Sequence, residues 1–183
     1  MSELQRLIST PSDINEHLHI MFEYATQCNH ITEMGVRDIV STWAWLEAKP
    51  KTIICYDVAN PPADRLLNVY AYAENHKIDF TLHIADVLTV EIEPTDLLFI
   101  DTVHTYEQLI SELRLHADKA KKFIVLHDTE GFGEIGIDAS GKQTRGLRYA
   151  LEEFLESNSN WVVEVERKNC FGLTILRRLN ITV

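Results

Sequence analysis

Apolar positions along this chain alternate between two patterns. Short unbroken runs have the length of strands covered on both faces: Thr52–Tyr56, Asp79–Ala85, Leu97–Ile100 and Phe123–Leu126, with a shorter one at His30–Met34. Between the runs, apolar residues recur at helical spacing. Ile14, Leu18, Met21, Phe22 and Ala25 share one face of a helix over 12–28. Trp43, Trp45 and Leu46 belong to a second helix, which Ser41 or Thr42 opens and Pro50 ends. Leu66, Leu67, Tyr70 and Ala71 form the inner side of a third, opened by Asp64. Leu109, Ile110, Leu113 and Ala117 mark a fourth, with Thr105 and Gln108 spaced as a capping box. Leu147, Leu151, Phe154 and Leu155 mark a fifth, capped by Thr144.

Strands alternating with helices predict an α/β fold, a doubly wound and mostly parallel sheet. Trp161–Val165 and Phe171–Leu176, joined near Lys168-Asn169, predict a terminal β-hairpin. The stretch Thr129–Gly141 breaks the pattern, holding four of the seven glycines and almost no apolar periodicity. It reads as a lid loop, extending to 143, that is disordered until ligand binds. One domain over 1–183 is expected, with a helical extension at 1–29.

Composition narrows the function. A formal charge of -11 opposes nonspecific binding to nucleic acid or anionic membrane. No apolar run is long enough to span a bilayer, and the N-terminus lacks the features of a secretory signal. Cys28, Cys55 and Cys170 are odd in number and without a CxxC pair, as in a reduced, cytoplasmic protein. Oligomeric state has no signature in the sequence.

The chemistry lies where the strands stop. Glu33, Asp57, Asp86, Asp101 and Asp128 each end one of the first five strands. Gly35 follows the first strand, and Asp57 lies about twenty residues on, where an acid hydrogen-bonds ribose hydroxyls. Asp86, one strand further out, is placed for an adenine amino group, so the two together point to an adenosine-containing cofactor. A parallel strand–helix–strand unit brings both carboxyl ends to one sheet edge, which gathers Asp101, His104, His127 and Asp128. His17, His19, His30, His76, His83 and His116 stand alone in sequence and are expected at the surface or satisfied in the core. Tyr106 is a candidate neighbour of the cluster. Arg145 and Arg148 are candidates for an anionic substrate or for a solvated helix face.

Several of these residues fall in motifs. Glu33-Met34-Gly35-Val36-Arg37, Ser41-Thr42, Leu98 to Glu107, Val125 to Thr129 and Gly172-Leu173 together resemble the class I S-adenosylmethionine-dependent methyltransferases. The likeness is to small O-methyltransferases of the macrocin and cephalosporin-hydroxylase-like branch, over about residues 30–178. It implies a seven-stranded sheet with only its last strand antiparallel, and S-adenosylmethionine (SAM) as cofactor. Glu33, Gly35 and Asp57 would line that cofactor, with Asp86 near its adenine. By the same resemblance Asp101, His127 and Asp128 would hold a divalent cation, Mg²⁺ or Mn²⁺. His104 would be the general base acting on a small-molecule, sugar-like hydroxyl.

Two positions depart from the pattern. Ile39 stands where the family has a second glycine and is expected to crowd the methionine end of the cofactor. His127 replaces a hard oxygen ligand. Two alternatives stand beside the methyltransferase reading: a metal-dependent enzyme of another reaction type, and a non-catalytic binding protein on the same scaffold.

Overall fold

The computed structural model describes residues 1–179; residues 180–183, counted in the expected domain, lie outside the described residues. Seven strands form one sheet: β1 (His30–Met34), β2 (Thr52–Asp57), β3 (Asp79–Ile84), β4 (Thr95–Ile100), β5 (Ala120–His127), β8 (Trp161–Arg167) and β9 (Leu173–Arg178). Their order is β3-β2-β1-β4-β5-β9-β8. The pairs β1–β2, β1–β4, β2–β3 and β4–β5 are parallel, while β9 runs antiparallel to both β5 and β8. The expected α/β, doubly wound sheet is therefore present, with β9 its single reversed strand.

Six helices accompany the sheet: α1 (Glu3–Ile8), α2 (Leu18–Ala25), α3 (Thr42–Ala48), α4 (Ala63–His76), α5 (Tyr106–His116) and α6 (Leu147–Ser157). They bury two apolar layers, one on each face. The α1–α4 side closes over Ile31, Ile53, Phe99 and Trp45. On the other face α5 and α6 cover Leu98, Ile100, Ile124 and Leu126. Consecutive residues of β4 and β5 enter opposite cores, which is why these strands read as unbroken apolar runs. All three tryptophans are buried, as expected. No helix among the described residues is long and apolar enough to cross a membrane.

Three expectations are corrected. On α4 the buried positions are Val69 and Ala73, with Leu66 and Tyr72 packed beside them, while Leu67, Tyr70 and Ala71 are exposed. The helix is rotated because small Ala73 and branched Val69 fit closely against the sheet, whereas Tyr70 sits edge-on to Phe80 at the rim. The stretch after Asp128 is not structureless. It contains a two-stranded hairpin, β6 (Ile135–Ile137) with β7 (Gln143–Arg145), too short to leave a periodic signal. Thr144 consequently lies in β7, and Gly146 is the N-cap of α6. The capping box at α5 forms its forward half: Thr105 Oγ1 accepts from Gln108 N at 3.2 Å.

Candidate active site and cofactor cavity

Gly35 is the corner on which the site turns. Its φ is +87°, and a Cβ there would lie 1.8 Å from the backbone oxygen of Asp101. Only glycine lets the loop after β1 close onto the loop after β4 in this way. The close approach at Gly35 is thus made by the chain's own backbone.

Beyond this corner lie two adjoining cavities that share Gly35, Arg37, Asp101 and Thr102. One, of about 440 Å³, is bordered by Tyr56, Asp57, Asp86, Val87 and Gln108. The other, of about 140 Å³, is bordered by Ile14, Val36, Ser41 and His104. Asp57 does more than face the first cavity. Its Oδ2 accepts from Val36 N at 2.8 Å and Arg37 N at 3.0 Å, and its Oδ1 accepts from Ala59 N at 2.9 Å. It therefore clamps the loop after β1, and a carboxylate retains acceptor capacity beyond these three bonds. Asp86 Oδ1 accepts from Leu88 N at 2.9 Å.

Glu33 is placed differently from a cofactor-lining residue. It is fully buried beneath the same loop and accepts from Ser41 Oγ at 2.5 Å, Thr42 Oγ1 at 2.8 Å and Cys55 Sγ at 3.2 Å. Burial raises its pKa, and these donors offset that only in part. Ser41 and Thr42 are thereby spent on Glu33 rather than on capping α3. Glu33 borders neither cavity; its partner Ser41 borders the smaller one.

Ile39 borders neither of these two cavities. It has φ +59° and is buried in the core on the α1–α4 side. It borders a hollow of about 450 Å³ beside Arg6, Trp43 and Arg65, which adjoins the smaller cavity through Arg37, Asp38 and Val40 and contains none of the clustered acids and histidines after β4 and β5. The left-handed turn that a glycine would make freely is made here by a β-branched residue, at a steric cost.

At the carboxyl edge the chain brings Asp101, His104, His127 and Asp128 together. His104 Nε2 lies 2.7 Å from Asp128 Oδ2 and 3.5 Å from Asp101 Oδ1. His127 Nδ1 lies 3.5 Å from Asp101 Oδ2 and 3.3 Å from Asp128 Oδ1, yet neither of its ring nitrogens has a hydrogen-bond partner among the described residues. Burial pulls the His104 pKa down, but Asp101 and Asp128 outweigh it and raise it to about 9. The same balance takes His127 to about 10. Burial pushes Asp101 up and the two histidines pull it well below the usual carboxylate range, and Asp128 is lowered likewise.

One ligand atom each from Asp101, His104 and Asp128 fall within 4.8 Å of one another, a spacing that a single divalent cation would bridge. The tightest donor set thus contains His104, while His127, with a side chain only 1% exposed, backs the two carboxylates from inside. The donor chemistry fits Mg²⁺ or Mn²⁺, with imidazole tilting the preference toward Mn²⁺.

Sequence reasoning missed two neighbours. His17, taken as isolated, is buried with its ring edge-on to His127 at 5.8 Å, and its Nε2 lies 3.0 Å from Asn169 O. Phe132 stacks on His104 at 4.3 Å. Both contacts join distant segments and leave no local signal. Tyr106 sits off the cluster: its hydroxyl donates to Glu153 at 2.6 Å. Arg145 lies between the rings of Tyr106 and Tyr149, at 4.2 and 4.5 Å, and Arg148 pairs with Glu134 at 2.5 Å, so both have partners within the chain.

No protein-family model matches the chain, and no curated protein matches it in sequence. Solved structures do match its fold. The SAH-bound Podospora anserina methyltransferase PaMTH1 aligns at TM-score 0.58 and 16% identity, over 93% of this chain and 89% of that one. The N-terminal domain of EvdMO1, solved in the presence of SAH and D-fucose, aligns at 0.55 and 15%, over 94% and 85%. A methyltransferase from Geobacter sulfurreducens aligns at 0.59 and 11%, over 96% and 83%. The chain has the Rossmann-like fold of the methyltransferases.

Proposed function

We propose that the protein is a SAM-dependent methyltransferase that transfers a methyl group to a hydroxyl of a small, sugar-like molecule with the help of a divalent cation. One observation carries this reading: the cavity bordered by Gly35, Asp57 and Asp86 and the cluster of Asp101, His104 and Asp128 meet at Asp101. An adenosine-sized cavity beside a carboxylate–histidine cluster is what methyl transfer to oxygen needs. The fold-level likeness to SAH-bound methyltransferases supports the cofactor, and the D-fucose in one of those structures favours a sugar-like acceptor.

The residues divide the work as follows. Asp57 and Asp86 receive the adenosine moiety, and Gly35 lets the loop after β1 close onto the backbone of Asp101 beside it. Asp101 and Asp128 hold the cation, with His127 behind them. Bound SAM supplies an electrophilic methyl on sulfur, and a bound cation lowers the pKa of a hydroxyl beside it. His104 accepts the hydroxyl proton as the oxygen–methyl bond forms and the sulfur leaves as the thioether. His104 can do this only once its carboxylate partners are engaged elsewhere, since beside two free carboxylates its pKa of about 9 keeps it protonated at neutral pH.

A second reading follows from the 4.8 Å grouping, in which His104 is a third ligand rather than the base. Calorimetry with SAH tests the first claim: micromolar binding, roughly -8 kcal/mol, is expected. Absence of both heat and thermal shift would remove the methyltransferase reading. The Mn²⁺ affinity of His104→Ala decides between base and ligand.

A further inference from the structure

Glu112 is fully buried on α5 and has no part in the reading above. Its Oε1 accepts from Thr102 Oγ1 at 2.6 Å and from Gln108 Nε2 at 2.8 Å. Both donor residues border the larger cavity, the proposed adenosine site. Its Oε2 has no hydrogen-bond partner among the described residues. His127 Nε2 is in the same position, buried with no hydrogen-bond partner among the described residues, while Nδ1 faces Asp101 and Asp128 at 3.5 and 3.3 Å. These two residues border one small internal cavity of about 10 Å³, together with Asp101, Thr102 and His104. That space admits about one water, for which Asp101, Thr102, His104, Glu112 and His127 supply polar partners among the apolar Ile100, Val103, Leu109, Leu126 and Leu147. Buried polar atoms left unpaired are costly, so unsatisfied atoms around one such cavity call for a shared partner.

We propose that Glu112 is a positioning residue that couples the cofactor cavity to the carboxylate–histidine cluster. Through Oε1 it sets Thr102 and Gln108 on the cofactor side; through Oε2 and one bridging water it steadies His127 behind Asp101 and Asp128. The proposal rests on the cofactor-and-cation reading. Its thermodynamic content is reciprocal: a ligand at either end restrains the same carboxyl group, so each ligand tightens the other. A rival route exists, because Asp101 itself borders all three cavities. Coupling carried by Asp101 alone would not need Glu112.

The test is calorimetric titration of the full chain with SAH, without and with saturating Mn²⁺. In the wild type Mn²⁺ is expected to tighten SAH binding about 5–20-fold. Glu112→Gln keeps an acceptor for Thr102 and Gln108 and offers a donor to the cavity, so its coupling should stay within about 2-fold of wild type. Glu112→Leu fills similar space without polar atoms; it should bind each ligand alone, with coupling below about 2-fold. Thr102→Val, a milder change should the leucine variant not fold, should cut the coupling by about 3-fold or more. A merely structural role would lower stability in these variants without touching the coupling factor. Coupling at wild-type strength in whichever of Glu112→Leu and Thr102→Val is folded overturns the proposal, as does SAH binding by the wild type that ignores Mn²⁺. A wild type that binds no SAH overturns the cofactor reading and this inference with it.

Discussion

His104 Nε2 and Asp128 Oδ2 stand 2.7 Å apart, although one follows β4 and the other follows β5. The contact exists because parallel pairing of Ile100 with Leu126 levels the two strand ends. With an acceptor in hand, His104→Ala should lower turnover by about 10²–10⁴-fold while SAH and Mn²⁺ affinities stay near wild type. Kinetics of that variant paired with metal titration check it. Full activity would end the base assignment, and lost Mn²⁺ affinity would make His104 a ligand.

Asp57→Ala carries two losses, a ribose partner and the clamp on Val36 and Arg37. SAH affinity should fall by about 1–3 kcal/mol. Hydrogen exchange at the amides of Val36 and Arg37 should speed up even without ligand. Unchanged exchange would mean that the clamp contributes little to the order of the loop.

Ile39→Gly separates the motif from the backbone. Relief of the left-handed φ gains about 1–2 kcal/mol, and loss of a buried side chain costs about 3–5, for a net loss of about 1–4 kcal/mol. Because Ile39 lies off both cavities, SAH affinity should change less than about 2-fold. Tighter SAH binding in this variant would show that Ile39 does obstruct the cofactor.

Glu112 also sets a pH dependence. Burial pushes its pKa up to about 7 from an ordinary 4.5, with Thr102 and Gln108 opposing that only partly. The folded state therefore keeps a proton that the unfolded state releases above about pH 4.5. Its contribution to stability falls as pH rises from about 4.5 to 7 and is level above that, a loss on the order of 3 kcal/mol. Urea unfolding of wild type and Glu112→Gln across this range should diverge with rising pH, the variant being the more stable. Parallel curves would mean that Glu112 is charged in the folded protein.

The hairpin after Asp128 is pinned rather than loose. Ile137 N donates to His104 O at 3.0 Å, and Arg145 is held between two tyrosine rings. Arg145→Ala should lose about 1–2 kcal/mol of local anchoring and speed proteolysis within 135–145 by about 5–30-fold. Equal cleavage rates would leave the backbone bonds as the whole anchor.

Much of this was legible in the residues themselves. The runs ending at Asp101 and Asp128, and the Thr105–Gln108 spacing, specify a strand–helix–strand unit, and its parallel geometry gathers the cluster. What escaped was set by tertiary contact. Glu33 ends a strand buried on both sides, so alternation gives no hint that it turns inward to Ser41 and Thr42. The contact of His17 with His127 depends on how the segment before α2 meets the tip of the β8–β9 turn. The rotation of α4 was decided by which side chains fit the sheet, not by hydrophobicity, since Leu67 is the more apolar choice over Ala73.

The placement of β9 bears on how the protein is made. Among the described strands it is the last in the chain, yet it lies between β5 and β8, and its Leu173 pairs with His127. During synthesis this edge of β5 has no neighbour until β9 has left the ribosome. An open, apolar edge of this kind invites pairing with other chains. The nascent protein is therefore expected to need chaperone protection until β9 emerges, and the strand that ends at His127 to gain its final neighbour only as β9 is laid in.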